Sequence, residues 1–456
     1  MPPGEHAESR WRQLRSWLGL DRAVVFTVMA RGWASVAGLA TVLLIARFLT
    51  AAEQGYYYTF GSLVALQIVF ELGFSFVILQ MASHERAHLT IGSGGSVEGS
   101  AVSHARLASV LQKSVRWYSI AALLMLVTLI PAGLHFFSHS SNVGTPVAWR
   151  LPWLAVVLAA SLAFQIDPLF SFLEGCGYVP QVARTRLRQA IMGSVLAWAA
   201  LATHHGLFAP AMAILGQVIA GSTWLYTQRK LLVGLFRHPS GEHRIAWRSE
   251  VWPFQWRIAV SWMCGYFIFQ MFVPVLFRYW GPIEAGQMGM SLGIINVLTS
   301  IAISWVNTKA APFGVMIARR EFEKLDSVFF RVLMQSLSVS ALGAGVVWLI
   351  VFFLNMEHAR LAARMLPPMA FGIFLLTMVI NHTVFSEAIY LRAHKQEKLM
   401  AQSVIGAVFI GLSTYVLGKR FGAIGMVTGY FVICLIGLGV ATYTFLHFRK
   451  LWHREG

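Results

Sequence analysis

The sequence alternates between long apolar runs and short polar connections. The apolar runs cover residues 23–49, 56–82, 116–137, 151–173, 189–205, 209–233, 254–280, 283–307, 328–354, 366–391, 400–418 and 421–447. A helix needs about twenty apolar residues to cross a membrane, so most runs suffice and only the fifth and eleventh are marginal. Transmembrane strands alternate over about ten residues, which does not fit runs of this length. The pattern predicts an all-α integral membrane protein of about twelve helices.

The composition agrees with this prediction. Of the 456 residues, 57% are hydrophobic and 12% are charged, whereas a soluble domain carries about 25% charged residues. So few charges leave too little polar surface to face water, and lipid must be the main solvent. The three cysteines, at positions 176, 264 and 434, have no spacing typical of a disulfide framework or a zinc site.

Lys and Arg residues concentrate in every second connection. They are frequent at both termini and in residues 83–115, 174–188, 234–253, 308–327 and 392–399, and scarce in the connections between these. This asymmetry predicts that both termini and the basic connections are cytoplasmic. The net charge of +17 therefore reports membrane topology, and no nucleic-acid partner is expected. The opposite connections are short, so they offer no domain that would hold an active site.

Two polar segments stand apart from the apolar runs. Residues 1–22 place Trp11, Trp17 and several leucines at helical spacing among arginines, which predicts a basic amphipathic helix on the cytoplasmic membrane surface. A flexible basic tail is the alternative. Residues 92–101 are rich in Gly and Ser, which predicts a flexible linker.

The two halves of the sequence echo each other. At an offset of 231, the ends of the first and seventh runs share three residues: Arg47, Glu53 and Gly55 match Arg278, Glu284 and Gly286. At an offset of 215, Pro152 and Ser171 match Pro367 and Ser386. Chance, or the residues common at any membrane exit, is the alternative explanation.

This repeat divides the chain into predicted domains. It predicts two pseudo-symmetric six-helix lobes, residues 23–233 and 254–447, with a cytoplasmic linker at 234–253 and a cytoplasmic tail at 448–456. Parallel lobes are related by an axis along the membrane normal, and they enclose a central cavity that opens by rocking.

Two segments also resemble a known family. Residues 45–74, IARFLTAAEQGYYYTFGSLVALQIVFELGF, and residues 173–189, LEGCGYVPQVARTRLRQ, resemble bacterial oligosaccharide flippases of the multidrug/oligosaccharidyl-lipid/polysaccharide exporter superfamily. The resemblance implies a V-shaped, two-lobed transporter in the cell inner membrane. It also implies an undecaprenyl-diphosphate-linked glycan as substrate, membrane lipid as surroundings and polysaccharide polymerases as partners.

Five residues are candidates for binding the substrate: Arg31, Arg47, Arg278, Gln80 and Gln165. An arginine within a membrane helix is costly, and its planar fork suits a diphosphate. Arg31 has two alternatives, snorkelling to the membrane surface or neutralising Glu71. Arg47 and Arg278 would otherwise act as interfacial anchors or pair with Glu53 and Glu284. The two glutamines are candidate hydrogen-bond partners for sugars.

Four ionisable residues are candidates for ion coupling or for lining the cavity: Glu71, Asp167, His382 and Glu387. Glu71 is deep in the second run and is a candidate proton or sodium site. Asp167 precedes Pro168 and matches His382 at the offset of 215, which predicts one cavity-lining group in each lobe. The alternative for Asp167 and His382 is that they are polar groups satisfied inside the helix bundle. The alternative for Glu71 is neutralisation of Arg31, and Glu387, near the cytoplasmic end of its helix, would otherwise face basic loops.

The sequence therefore predicts a transporter and not an enzyme. It contains no P-loop and no metal-ligand spacing, so no cofactor is expected beyond coupling to H+ or Na+. The favoured function is flipping of a polyprenyl-diphosphate-linked oligosaccharide for polysaccharide or O-antigen biosynthesis. The alternatives are a cation-coupled multidrug antiporter, or a membrane polysaccharide polymerase or ligase, which usually carries a larger external loop.

Overall fold

The computed structural model describes residues 22–92, 94–140, 147–239, 244–394 and 396–454. The predicted N-terminal amphipathic helix, residues 1–22, lies outside this range apart from Arg22. In the first half of the chain the helices are α1 (Arg22–Phe48), α2 (Ala51–Val64), α3 (Gln67–Glu71), α4 (Phe74–Arg86), α5 (Ala101–Ser138), α6 (Arg150–Gly175), α7 (Val179–Ala202), α8 (Ala209–Thr227) and α9 (Arg229–Arg237). Strands β1 (Leu89–Ile91) and β2 (Val97–Gly99) lie between α4 and α5.

The described residues of the second half form helices joined by turns and short connections, without strands. A π-helical turn at Trp247–Val251 precedes α10 (Trp252–Phe269), and short 3₁₀ turns occur at Gly206–Phe208 and Ala362–Arg364. The remaining helices are α11 (Phe272–Trp280), α12 (Pro282–Asn307), α13 (Ala310–Ala318), α14 (Phe322–Met356), α15 (Pro368–Ala393) and α16 (Met400–Arg454).

The described chain contains about twelve membrane-spanning elements, as predicted. Eight helical segments are long and apolar enough to cross a membrane, and α2 to α4 form a further span that bends by 45°. One of the eight, Met400–His453, is 54 residues long and is broken at Gly422, whose φ of 64° and ψ of −148° are not helical, so it makes two spans. The remaining two are α7, which carries three arginines, and α10 with α11.

We call the side on which α1 begins and α16 ends the termini side. Among the described residues, the far side carries 49–50, 139–140, 147–149, 203–208 and 357–367. The second span is broken near its middle because Leu72 (φ 52°) and Gly73 (φ 66°) both adopt the left-handed conformation. This break makes Glu71 the last residue of α3. Broken helices of this kind are typical of transporter binding sites.

The two halves meet on the far side, where α2 crosses α12. A methyl group on Gly55 would overlap the backbone of Pro282, and one on Gly286 would lie 3.3 Å from the carbonyl oxygen of Ala51. Ala51 and Pro282 are themselves related by the offset of 231, so the contact is reciprocal. Reciprocal contacts are the signature of a two-fold axis, and this axis passes between Gly55 and Gly286. The predicted pseudo-symmetry is therefore confirmed.

Polar contacts reinforce this far-side junction. The side chain of Gln54 donates to the carbonyl oxygens of Gly286 (2.8 Å) and Arg364 (2.9 Å). The guanidinium of Arg364 in turn donates to the carbonyl oxygen of Leu49 at 2.7 Å. These bonds satisfy backbone carbonyls of one half with side chains of the other, so they hold the far side closed.

The hydrophobic cores show that the halves separate towards the termini side. The largest core is on the far side and combines residues of both halves, for example Tyr56 and Phe277, whose ring centres are 4.8 Å apart. A second core contains only residues 74–251, and a third only residues 313–445. The two halves also touch where α10 of the second half packs against α3 and α4 of the first half.

The connections on the termini side differ from the prediction in two places. Residues 89–91 and 97–99 pair as antiparallel strands, with Leu89 opposite Gly99, so part of the predicted flexible linker is a hairpin. Gly95, at its turn, packs against Leu231 of α9. The sixth span ends at Thr227 and not near residue 233, because α9 is a separate helix with arginines at both ends.

The segment joining the halves is fastened to the first half. Arg106 of α5 forms ion pairs with Glu85 (2.7 Å) and with Glu250 (2.6 Å). Gln112 donates to the carbonyl oxygens of Phe236 and His238. The domain boundaries at 233 and 254 remain a prediction.

Candidate functional site

Arg31 lies on the face of α1 that approaches the other half. Further towards the far side, a methyl group on Gly38 would lie 3.2 Å from Val297 Cγ2 of α12, and Val42 Cγ2 would lie 3.6 Å from a methyl on Gly293. Arg31 precedes Gly38 by seven residues, which is about two helical turns, so both point the same way. α1 and α12 thus touch through Gly38 and Val42, and Arg31 continues that face towards the termini side.

The guanidinium of Arg31 is exposed and has no hydrogen bond or ion pair to another described residue. An unpaired cation within an apolar span is costly in lipid. Arg31 faces the space between α1 and α12 on the termini side of the contact of Gly38 with Val297. Because the two halves have separate cores on this side, we call that space the cleft. This arrangement gives the cleft one strong binding group for an anion.

Glu71 and Asp167 meet in the middle of the first half. Ser75 of α4 donates to the carboxylate of Glu71 at 2.5 Å. Tyr118 of α5 is buried beside both side chains, although its hydroxyl makes no bond of good geometry to a described residue. Asp167 of α6 lies close enough to repel Glu71 electrostatically. Two carboxylates at a broken helix form a candidate site for a proton or a monovalent cation.

The structure does not pair Arg31 with Glu71. No ion pair or hydrogen bond joins the two side chains in the part of the chain that the structure describes. Glu71 is at the end of α3 and faces α5 and α6, whereas Arg31 faces α12. The sequence alternative in which the two residues neutralise each other is therefore wrong for this conformation.

Arg47 and Arg278 are both at the far side. Arg47 is exposed, and its guanidinium carbon lies 5.5 Å from the ring centre of Phe48. The predicted partner Glu53 instead completes a capping box with Thr50, whose backbone amide donates to Glu53 at 2.8 Å. Arg278 donates to the carbonyl oxygen of His139. The predicted pairing of Arg47 with Glu53 does not form.

Gln80 and Gln165 are exposed. Gln165 shares a face of α6 with Leu158 and Leu162, each 50% exposed, because residues three, four and seven apart lie together on a helix. That apolar face points outward, away from the face that carries Asp167. The structure therefore does not bring Gln165 into the cleft or to the acid pair.

His382 and Glu387 are buried in the second half, at 1% and 3% exposure. His382 shares a hydrogen bond of 2.8 Å with the hydroxyl of Ser336 on α14. Glu387 accepts from Thr442 of α16 at 2.8 Å. Because α15 packs between α14 and α16, its polar groups point into that packing. The prediction that Asp167 and His382 line a cavity in both lobes is wrong here, since only Asp167 is exposed.

Two members of the acid cluster were not predicted. Ser75 follows Glu71 by four residues, a spacing that places both on one helical face, so the sequence did contain a signal. Tyr118 lies 47 positions further along, and only tertiary packing brings it to Glu71. No group of three or more His, Cys, Asp or Glu that would hold a metal ion occurs among the described residues.

The fold is similar to that of solved transporters. The MATE multidrug transporter DinF-BH, solved in complex with a ligand, superposes with a TM-score of 0.60 at 13% identity, over 94% of this chain and 96% of that chain. The lipid II flippase MurJ in an inward closed conformation gives 0.59 at 12%, over 92% and 87%.

A multidrug resistance MATE family transporter of the MOP superfamily, in an inward-facing conformation, gives a TM-score of 0.58 at 14% identity, over 91% of this chain and 99% of that chain. No protein-family model matches the sequence, and no curated protein matches it significantly. At these identities the similarities show the fold: the chain is a multi-pass membrane protein with the two-lobed architecture of these transporters.

Proposed function

We propose that this protein flips a polyprenyl-diphosphate-linked oligosaccharide across the cell inner membrane by alternating access. The observation that carries the proposal is Arg31, an exposed guanidinium without a described partner that faces the cleft between the halves. A planar guanidinium binds phosphate oxygens through two parallel hydrogen bonds. An anionic head group in the cleft would also compensate the cost of keeping Arg31 inside an apolar span.

The geometry also suits a substrate with a lipid tail. The cleft lies between α1 and α12, and Val24 and Val28, exposed apolar residues of α1, lie on the same side of the helix as Arg31. A polyprenyl tail would stay in the surrounding lipid while the head group enters the cleft sideways. The tail then needs no apolar passage through the protein.

The acid pair of Glu71 and Asp167 is the proposed coupling site. Two neighbouring carboxylates repel each other, so one of them readily holds a proton or shares a cation. The inward movement of H+ or Na+ through this site would drive the cycle. The break at Leu72 and Gly73 lies next to this site. Binding of the ion at the site would therefore change the bend of the second span at the break.

Topology and partners follow from the same proposal. The termini side carries most Lys and Arg residues, so we assign it to the cytoplasm, together with both termini. The cleft then receives its substrate from the cytoplasmic leaflet, where lipid-linked glycans are assembled. Polysaccharide polymerases and the rest of O-antigen or polysaccharide biosynthesis would take the product on the opposite face.

A second function has support from one observation. A cation-coupled multidrug antiporter binds cationic substrates, and the exposed Asp167 beside Glu71 offers an acidic surface for them. Two of the similar structures are multidrug transporters. The two functions differ in which residue meets the substrate, Arg31 for an anionic lipid and Asp167 for a cationic drug.

The test is transport by the purified protein in liposomes. A fluorescent polyprenyl-diphosphate oligosaccharide is placed in one leaflet, and its arrival in the other is followed with an impermeant quencher, with and without a proton or sodium gradient. The variants are Arg31→Ala and Glu71→Gln. Arg47→Ala is the matched control, because it removes an exposed arginine from the far end of the same helix.

We expect Arg31→Ala to reduce the transfer rate about tenfold to 100-fold, since charged hydrogen bonds contribute about 1.5–3 kcal/mol. Arg47→Ala should leave the rate unchanged, and Glu71→Gln should abolish the gradient dependence. Equal rates for Arg31→Ala and the wild type would refute the role of Arg31. Efflux of a cationic dye without any lipid transfer would establish the antiporter function instead.

A further inference from the structure

The face of α12 that contacts the first half changes from apolar to polar where the cleft begins. Its far-side part carries Gly286, Gly289, Gly293 and Val297, which touch α1 and α2. Continuing at the same helical phase, steps of three and four residues lead to Ser300, Ser304 and Asn307, with Asn296 at the edge of the face. We call Asn296, Ser300, Ser304 and Asn307 the α12 polar face.

The α12 polar face is opposite Arg31. α1 and α12 run antiparallel, and the contacts of Gly38 with Val297 and of Val42 with Gly293 fix their register. Moving towards the termini side, the residue number therefore falls by one on α1 for each residue by which it rises on α12. This register places Arg31 level with Ser304. Asn296 is about 12 Å deeper, at 1.5 Å per residue, so it lies beside the contact of Gly38 with Val297, at the closed end of the cleft.

The α12 polar face has free hydrogen-bonding capacity. The side chains of Asn296, Ser300 and Asn307 are exposed and make no hydrogen bond to another described residue. Only Ser304 uses its hydroxyl within the helix, donating to Ile301 at 2.6 Å. Unsatisfied amides and hydroxyls are costly in lipid, so this face borders a water-filled cleft where a polar ligand can replace water.

We propose that the α12 polar face recognises the uncharged sugar units of the substrate while Arg31 holds its diphosphate. This inference rests on the proposed function and extends it to the glycan. Amide and hydroxyl groups offer both donors and acceptors, which match sugar hydroxyls. With the diphosphate at the level of Ser304, the first sugar reaches Ser300 and only a longer glycan reaches Asn296.

The register therefore predicts that each residue acts at one glycan length. The experiment uses two synthetic lipids in the liposome assay, a polyprenyl-diphosphate monosaccharide and the corresponding tetrasaccharide. The variants are Asn296→Leu, which removes the amide at similar volume, and Asn296→Ala in case the larger side chain disturbs folding. The control is Thr299→Val, because the Thr299 hydroxyl is on another face and bonds to Ile295 at 2.8 Å.

We expect both Asn296 variants to slow transfer of the tetrasaccharide lipid about threefold to tenfold, in line with the loss of one hydrogen bond, and to leave the monosaccharide lipid unaffected. Arg31→Ala should slow both lipids equally. If the wild type moves both lipids and the Asn296 variants slow both or neither, the sugar assignment is wrong and the flippase proposal stands. If the wild type moves neither lipid, the flippase proposal itself fails.

Discussion

The far-side crossing makes Gly55→Ala the most informative single substitution. The added methyl carbon would lie 1.9 Å from the carbonyl oxygen of Pro282 and 2.8 Å from its Cα, whereas non-bonded carbons pack at about 3.5–4.0 Å. The helices would have to move apart by roughly 1 Å at a point where backbone faces backbone. Overpacking of this kind costs about 1–3 kcal/mol. The cost falls on the conformation in which the far side is closed, so the equilibrium should move about fivefold to 150-fold towards far-side opening.

Spin labels on the far side measure this shift. One label replaces His205 in the first half and the other replaces Met356 in the second half, since both side chains are exposed. The three native cysteines are buried and are replaced beforehand. Distance distributions from pulsed electron resonance in lipid nanodiscs give the populations of closed and open far sides. Gly61→Ala is the control, because it lies on the same helix and a methyl there meets no atom within 4 Å.

We expect Gly55→Ala to populate a longer distance that is rare in the wild type, and Gly61→Ala to leave the distribution unchanged. Thermal unfolding of both variants separates a shift in conformation from general loss of stability. Identical distributions for the two variants, at equal stability, would refute the argument that the crossing of α2 and α12 closes the far side.

Two further predictions concern charged contacts outside the membrane. Removing the Arg364 guanidinium with Arg364→Met should weaken far-side closure by about 1.5–3 kcal/mol, and the same spin-label pair measures it. On the termini side, the hydrogen bond from Arg106 lowers the pKa of Glu250 from its ordinary value of 4.5. A lowered folded-state pKa stabilises the linker fully above pH 4.5 and loses that contribution as the pH falls through the folded-state pKa. The protection of the Ala246 amide, which donates to Glu250 at 2.8 Å, should therefore decrease on acidification, when its exchange rate is divided by the intrinsic rate at each pH.

Each prediction has a matched control. Arg360 is an exposed arginine in the same far-side connection as Arg364, and Arg360→Met should not change the spin-label distances. Glu250→Gln should show fast exchange at Ala246 already at neutral pH, whereas Glu98→Gln, in the exposed strand β2, should behave like the wild type. A protection of the Ala246 amide that stays constant as the pH falls would show that the pair of Arg106 and Glu250 does not hold the linker.

The fold was predictable because its signals are local and repeated. About twenty apolar residues make a span wherever they occur, and the offset of 231 was visible in six residues. Gly55 and Gly286 turned out to mark the axis itself, where only glycine allows the two backbones to approach. The breaks were harder to predict. Leu72 in a left-handed conformation has no sequence signal, since apolar residues of this size rarely adopt it.

The candidate site was predictable only in part. A charged residue within an apolar run is recognisable in the sequence, but the direction in which its side chain points is not. Glu71 and Asp167 were singled out separately, and tertiary packing alone makes them neighbours. His382 and Glu387 carry the same sequence signal but point into the packing between α14 and α16. The α12 polar face was missed since Asn and Ser are uncharged. Whether these Asn and Ser side chains face the cleft depends on where α1 stops touching α12, and the sequence does not show that position.

The backbone crossing at Gly55 and Gly286 also acts as a pivot. No side chain lies between the two backbones at this point, so a rotation about the crossing displaces no side chain at the crossing itself. From Gly286 to Asn307 the helix extends about 32 Å, at 1.5 Å per residue, and a rotation of roughly 10° would carry its end through about 5–6 Å. A small angular change at a fixed hinge can therefore widen the mouth of the cleft by the width of a sugar. The position of the two glycines therefore determines how far the end of α12 moves for a given rotation about their contact.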